Sequence, residues 1–443
     1  MIDRLDVHIE LDKRTHPVGI AYFVQRRGGT VASTFAYSVE YLANPKAISF
    51  DPNLPLVSGQ QATDGLPGAF QDCAPDRWGR NLILKRSRFN VSTSGRTPAL
   101  NDADFLAGVS DITRQGALRF SLSGTTEFID ADLRVPKLIA LPRLLNAVDR
   151  LADDEECAEA VKVLLDAGSG SLGGARPKAS VVDNGRLLLA KFPHRSDDWD
   201  VMGWEKTALD IADRAGIAVP GRRLVGLDGR QILLLERFDR DDQHRIAYIS
   251  AMTLVGGRIG DDYDYADIAA SLPDFGSRVA ADLDEMFRRA VLSCAIHNTD
   301  DHLRNHGFLG SAAGWKLAPV FDINPNPDLN EGRVTSIAAA SRADDEPAGL
   351  TAVAGDFRLT ASAARSIVTE VLDAVSQWAD IAAANGISAR EREQFRPMFN
   401  DRIAALASTA HMPRPGATRA ASTSQRRVSK GSPTAGQFAK KTP

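Results

Sequence analysis

The stretch GSGSLGGARPKASVVDNGRLLLAKF, Gly168 to Phe192, decides which nucleotide-binding folds remain open to this chain. Gly168, Gly170 and Gly173 fit G-x-G-x-x-G, a spacing shared by dinucleotide-binding folds and kinases. A dinucleotide fingerprint must open a helix, whereas these glycines run into ASVV, an Asn184-Gly185 pair and RLLLAKF, which together signal a β-hairpin. A Walker A loop fails too, because Gly173 is followed by Gly174 and not by the Lys-Ser/Thr that grips phosphate and magnesium. What remains is a glycine-rich turn between strands, then a strand carrying Lys191 between Ala190 and Phe192. Kinases use that order to cover and pair ATP phosphates. Glycines let backbone N–H groups approach phosphate oxygens without a Cβ in the way. The same residues also suit an ordinary linker and a solvated edge lysine, so the rest of the chain must arbitrate.

A second polar stretch, TDDHLRNHGFL (Thr299 to Leu309), supports three readings. It could be a polar loop after a helix, a metal site built from His297, His302 and His306, or a catalytic loop. Asp300 and Asn305 reproduce the D-x-x-x-x-N part of the kinase signature. The helical period of Leu283, Met286, Phe287, Ala290, Val291 and Cys294 predicts a buried helix that delivers this loop. Phosphoryl transfer needs a carboxylate near the attacking hydroxyl and hard oxygen ligands for magnesium. Asp300 suits the first role and Asn305 the second. A further carboxylate follows in KLAPVFDINP, read as a short apolar strand ending at Asp322, with Ile323-Asn324 where kinases carry Phe-Gly. Zinc would need histidines on one helical face or three converging ligands. His302 and His306 have the i, i+4 spacing, but LRN and Gly307 read as loop and no HExxH is present. The glycine turn, Lys191 and Asp322 in kinase order favour the catalytic loop over the other two readings.

Working outward, VHIEL, GIAYFV and ALRFSL predict strands within a β-rich first 130 residues. Inside that region Asp76 precedes a helix carrying Trp78, Leu82 and Ile83. Residues 141–167 read as helical. WEKTALDIADRAGI predicts an amphipathic helix in which Glu205 either pairs with Lys191, as a kinase helix glutamate does, or favours the helix dipole as a first-turn acid. QILLLERFDR is an apolar strand that stops in charge, as a strand leading to a hinge does.

The chain has 443 residues, 43% of them apolar and 25% charged, which is ordinary globular usage for two or three domains. No apolar run approaches the roughly 18 residues of a membrane span, and no signal-peptide pattern opens the sequence. A cytoplasmic protein with no membrane partner is expected. Cys73, Cys157 and Cys294 are odd in number and widely spaced, so they read as core thiols. The net charge of −4 hides a tail, Pro413 to Pro443, with seven Lys/Arg and no acid, which leaves the preceding chain at −11. Its Pro/Gly/Ser/Thr/Ala composition predicts disorder, as a solubilising tail or one that touches DNA.

With these residues in hand the chain resembles the HipA family, serine/threonine kinase toxins of bacterial toxin-antitoxin pairs. GAFQDCAPDRWGR is similar to the family's N-terminal signature, SLGGARPKA to its glycine-rich loop, LLLERFDR to its hinge, NTDDHLRN to its catalytic loop and APVFDI to its metal-binding strand. The resemblance spans roughly residues 1–400 and implies an α+β, two-lobed protein-kinase-like fold with a β-rich N-terminal lobe and a mainly helical C-terminal lobe. The expected organisation is a HipA-type subdomain at 1–140, the glycine-rich loop, ATP-lysine strand and hinge at 141–240, a helical catalytic lobe at 241–410 and the tail at 411–443.

The resemblance implies roles. Gly173, Gly174, Ala175, Arg176, Pro177 and Lys178 would form the ATP-phosphate loop, Lys191 the α-phosphate contact, and Glu236, Arg237 and Phe238 the adenine hinge. Asp300 would be the catalytic base, with His302, Leu303, Arg304, Asn305, Phe321 and Asp322 along the ATP site and Asn305 and Asp322 holding Mg2+. Ser171 matches the autophosphorylated serine that silences the kinase. A HipB-like helix-turn-helix antitoxin, operator DNA through it, and a protein substrate of the aminoacyl-tRNA synthetase class are the implied partners. The rival is a catalytically idle corepressor subunit bound to the antitoxin. Two departures stand out. Tyr248-Ile249-Ser250 lies where the family runs into an acidic segment, and Asp301 sits where glycine is common, either raising the pKa of Asp300 or facing water.

Overall fold

The computed structural model describes residues 2–91, 99–125, 127–131, 135–154, 157–170, 176–258 and 260–410. Alternating burial of Leu5, Val7 and Ile9 builds β1 (Arg4–Leu11). It pairs antiparallel with β2 (Arg14–Gln25), and β3 (Val31–Tyr37), β4 (Gln60–Asp64) and β5 (Leu118–Leu122) complete a sheet in the order β4-β3-β2-β1-β5. Between β3 and β5 in sequence come α1 (Val39–Leu42), α2 (Gly68–Asp72), α3 (Arg77–Val91) and α4 (Asp102–Ala107). Phe35, Phe50, Phe70 and Phe120 pack edge-to-face or stacked beneath this sheet.

The helical stretch expected at 141–167 forms two helices, α5 (Leu141–Asp153) and α6 (Ala158–Asp166). Their apolar faces pack with Leu82 and Ile83 of α3 against a second sheet. That sheet comprises β6 (Lys178–Asp183), β7 (Arg186–Lys191), β8 (Arg222–Leu227) and β9 (Arg230–Glu236) in the order β6-β7-β9-β8. Asn184 and Gly185 both take positive φ, as a two-residue hairpin turn requires. The glycine-rich stretch therefore joins a helix to a strand and not two strands, because buried Val161, Leu164 and Leu165 keep the chain helical up to Asp166. Helix α7 (Val201–Arg214) connects β7 to β8.

Beyond β9 the chain forms a short hairpin, β10 (Arg240–Asp241) and β11 (His244–Arg245), then β12 (Ala247–Ser250), α8 (Ala251–Leu254), α9 (Tyr265–Phe275) and α10 (Val279–Ala295). Strands β13 (Gly307–Ser311) and β14 (Gly314–Leu317) join β12 in a three-stranded sheet. Helices α11 (Glu346–Val353), α12 (Ala361–Val375), α13 (Trp378–Ala384) and α14 (Ala389–Ala410) follow. The strand expected to end at Asp322 stops at Leu317 instead. Pro319 has no N–H for a ladder, and Asp322 sits at φ 55°, outside the strand region.

One apolar core runs from Leu5, Phe35 and Phe120 through to Phe287, Val371 and Phe399. Cys73 and Cys294 are buried free thiols, and Cys157 is half-buried. Among the described residues no helix is long and apolar enough to cross a membrane. The basic tail, Ser171, Gly173, Gly174 and Ala175 lie outside the described residues.

Candidate active site

A cleft of about 890 Å3 is lined by residues of β7, β9 and β12, the segment that follows β9, the polar loop and the N-terminal segment around Asp76. That volume suits a small-molecule ligand. Leu189, Pro220, Leu235, Phe238 and Phe321 make one wall apolar, while Lys191, His302, Asn305 and Asp322 supply polar groups at the other side.

Lys191 ends β7, and its ammonium lies between two carboxylates. Nζ donates to Glu205 Oε1 (2.5 Å) and to Asp322 Oδ1. Of the two readings of Glu205, the ion pair with Lys191 is the one observed; the carboxylate is buried on α7 well inside the helix. Burial works against the lysine charge, but Asp322 and Glu205 more than offset it and hold the ammonium above its ordinary range. Burial raises Glu205, with Lys191 opposing. Burial also opposes the charge of Asp322, yet Lys191 and Lys178 bring it below the usual carboxylate range.

Helix α10 delivers the polar loop, where adjacent carboxylates face opposite ways. Asp300 is exposed; partial burial and the charges of Asp322 and Asp301 raise its pKa against the pull of His302. Asp301 is buried. Its carboxylate accepts from Tyr265 OH (2.5 Å) and Ser293 Oγ (2.6 Å), and His306 Nε2 lies 3.0 Å away. Burial opposes that charge, but His306 and Arg333 hold the group well below the usual carboxylate range. The extra acid thus does not face water, and it does contribute to the raised pKa of Asp300.

Asn305 donates its Nδ2 to the Asp300 carbonyl (3.1 Å), which turns the amide oxygen into the atom available to a cation. With Asp322 it offers hard oxygen donors, a set that fits Mg2+ when phosphate oxygens and water complete the shell. The three histidines divide among different partners: His297 Nε2 meets the Asp328 carbonyl, His306 meets Asp301 and His302 lines the cleft. Among the described residues no group of three or more His, Cys, Asp or Glu side chains gathers as a metal set.

Of the residues singled out from sequence, Lys191, Glu236, Arg237, Phe238, His302, Arg304, Asn305, Phe321 and Asp322 line this one cleft. Others point elsewhere. Leu303 is buried in the core, and Arg176 pairs with Asp197 (2.8 Å). The Arg237 guanidinium turns to Asp239 (2.6 Å) and the Thr113 carbonyl (3.0 Å), so only its backbone remains for a hinge. Arg304 reaches Gln71 (3.0 Å) and Asp72 (3.4 Å) of the N-terminal signature. Sequence reasoning missed that this signature lines the cleft, through Gln71, Asp72, Asp76 and Arg80. The density of charge in DCAPDRWGR was the available signal.

A β-hairpin ending in Lys191, the pair it forms with Glu205 and a carboxylate–amide loop, arranged on a β-rich and a mainly helical lobe, define a two-lobed protein-kinase-like fold. The HipA N-terminal domain matches residues 14–120 and the HipA-like C-terminal domain residues 170–379, and the chain belongs to the HipA family. The HipA of Shewanella oneidensis MR-1, solved with HipB and operator DNA, superposes with a TM-score of 0.65 at 14% identity, over 91% of this chain and 97% of that one. A Haemophilus influenzae protein whose description proposes a kinase is 29% identical over 157 residues, 31% of this chain and 46% of that protein. The match thus spans about half the length of that relative. The Helicobacter pylori proinflammatory kinase CtkA aligns over 54% of this chain and 92% of its own, with 17% identity and a TM-score of 0.43.

Proposed function

We propose that this protein is a Mg-ATP-dependent serine/threonine protein kinase, the toxin of a toxin-antitoxin pair. The observation that carries the reading is Lys191, a buried ammonium held between Glu205 and Asp322 at the wall of a cleft with one apolar side. In kinases that arrangement pairs ATP phosphates and readies the metal site. Leu189, Leu235, Phe238 and Phe321 would hold adenine, Lys191 the α-phosphate, and Asn305 and Asp322 the magnesium ion. When bound, magnesium neutralises charge on the phosphate oxygens. Asp300 is the base: it is exposed to an incoming hydroxyl, and its raised pKa makes it a better proton acceptor than an ordinary aspartate. Asp322 and Lys191 are poised to exchange their mutual ion pair for ligands of opposite charge.

The Shewanella protein in complex with HipB and operator DNA supports a helix-turn-helix antitoxin and its operator as partners. The family resemblance supports a substrate of the aminoacyl-tRNA synthetase class and self-silencing at Ser171. The test is incubation with Mg-ATP followed by intact mass and phosphopeptide mapping, beside Asp300→Asn. Phosphate gained by wild type and reduced by about a hundredfold or more in Asp300→Asn is expected. Bare wild-type protein that neither binds ATP nor gains phosphate would sink the reading and leave an idle corepressor subunit.

A further inference from the structure

We propose that the N-terminal segment around Asp76 is a positioning clamp for the phosphate loop, holding both of its stems from one turn of α3. The inference rests on the ATP reading above and concerns residues far from the kinase motifs in sequence. The downstream stem is Lys178, at the start of β6. Its Nζ donates to Asp76 Oδ2 (2.7 Å), and the two side chains are only 3% and 7% exposed. The other oxygen of Asp76 accepts the Gly79 N–H (2.6 Å), so the carboxylate is fixed at the start of the helix. The upstream stem is Gly168–Gly170. A Cβ on Gly79 would fall 2.6 Å from Gly170 Cα and 3.0 Å from its carbonyl oxygen. That is a backbone-to-backbone contact with no flexible side chain to give way. Gly168, at φ 65°, is likewise pressed against Thr113, where a Cβ would lie 2.6 Å from Cγ2.

Asp76, immediately before α3, and Gly79, in its first turn, are three residues apart and hydrogen-bonded, so both grips belong to one rigid helix start. Leu82 and Ile83 anchor that helix in the core, and Arg80 ties it to Asp102 (2.9 Å). The arrangement repeats the logic of Lys191 and Glu205: a buried lysine of the nucleotide site receives its countercharge from a separate element. Behind the cleft wall the charges alternate from Asp76 through Lys178, Asp322 and Lys191 to Glu205, and Asp322 senses both lysines. Without the Asp76 carboxylate, Lys178 would turn to Asp322 and occupy the group assigned to the metal. Asp76 therefore acts through Lys178, as a positioning residue, on the phosphate end of the ligand and not on its base.

The test is isothermal titration of the full chain with MgATP and with adenosine. Asp76→Asn should weaken MgATP about tenfold or more, the scale of one hydrogen bond to a charged group, while adenosine affinity stays within about twofold. Lys178→Gln should show the same pattern, and the double variant should be no weaker than Lys178→Gln, because the two residues act as a unit. Gly79→Ala should weaken MgATP with the ion pair intact. Asp76→Asn binding MgATP like wild type, or losing both ligands equally, would overturn the clamp while leaving the kinase reading in place. Wild type that binds neither ligand would overturn both.

Discussion

Neighbouring Asp300 and Asp301 should respond in opposite ways to the same substitution. The Asp301 side chain is 3% exposed and has four polar groups turned toward it. Tyr265 OH (2.5 Å) and Ser293 Oγ (2.6 Å) donate to Oδ2, His306 Nε2 lies 3.0 Å from Oδ1, and Arg333 Nη2 lies 3.6 Å from Oδ2. Asp301→Asn keeps the shape but replaces one acceptor oxygen by an amide that can only donate, facing donors. It also leaves Arg333 with Glu346, at 3.3 Å, as its remaining carboxylate. Hydrogen bonds to a charged group contribute about 1.5–3 kcal/mol each, and breaking one side of a buried pair costs about 3–5 kcal/mol. These costs share one carboxylate and do not add, so a loss of about 3 kcal/mol is expected. Asp300 is exposed and forms no side-chain ion pair among the described residues, which confines Asp300→Asn to about 0.5 kcal/mol.

Urea unfolding followed by tryptophan fluorescence separates the two. With a slope of about 3 kcal/mol per molar urea, Asp301→Asn should unfold about 1 M earlier than wild type. Asp300→Asn should keep the wild-type midpoint yet lose phosphoryl transfer. An Asp301→Asn midpoint indistinguishable from wild type would refute the assignment of Asp301 as the anchor of the loop. Asp300→Asn unfolding as early as Asp301→Asn would refute its assignment as a free, chemically active carboxylate.

Acid should erase the difference. The native-state pKa of Asp301 is depressed by its bases, so its contribution is fully present above the unfolded value of about 3.9 and is lost as pH falls through the lower native one. Wild-type and Asp301→Asn midpoints should therefore stay apart from pH 7 to about 4 and draw together only as pH falls further toward the native value, as equilibrium unfolding carried down into that acid range would record. Lys191→Met removes the ammonium between Glu205 and Asp322, and titration should show MgATP affinity falling by about tenfold to a hundredfold with adenosine retained. Trp204 is 1% exposed and stacks on Phe395 with ring centroids 4.0 Å apart, so Trp204→Ala should cost about 3–5 kcal/mol in the same unfolding assay.

What was legible in the sequence was whatever carries a period or a short-range turn signal. The Asn184-Gly185 hairpin, the apolar face of α10 and the alternation of β1 all read directly, because each is decided within a dozen residues. The kinase order of Lys191, Asp300, Asn305 and Asp322 read as well; Lys191, Asn305 and Asp322 line one cleft, and Asp300 lies near enough to feel the charge of Asp322. The end of β14 did not. An apolar run preceding an aspartate gives no warning that Asp322 takes a left-handed backbone, which turns it toward Lys191. Long-range charge pairs were equally silent. Asp76 and Lys178 are 102 residues apart, and Arg402 and Glu346 are 56 apart, with neither spacing tied to any local conformation. Asp301 illustrates the limit: a second acid beside Asp300 reads equally as a solvated charge or as a neighbour that raises its pKa until Tyr265, Ser293 and Arg333 are brought around it.

Buried charges also join the N-terminal segment to the residues around the cleft. Asp239, directly after the hinge, accepts from Arg237 (2.6 Å), Arg240 (2.8 Å) and the Gly116 N–H (2.7 Å). Arg237 in turn donates to the Thr113 carbonyl (3.0 Å), and the same Thr113 packs against Gly168 at the root of the phosphate loop. Asp239 is fully buried, and burial alone would push it toward neutrality; the two arginines instead hold it well below the usual carboxylate range. A buried charge set of this kind is costly unless every member is paired. The three charged residues lie on one side of the junction and the Gly116 N–H and Thr113 carbonyl on the other, so separating the two sides would leave buried polar groups without these partners. The stretch from Thr113 to Gly116 thus holds Arg237 and Asp239, Asp76 and Gly79 meet Lys178 and Gly170, and Arg304 meets Asp72. Three segments to which the proposal assigns nucleotide binding and transfer therefore contact one N-terminal scaffold.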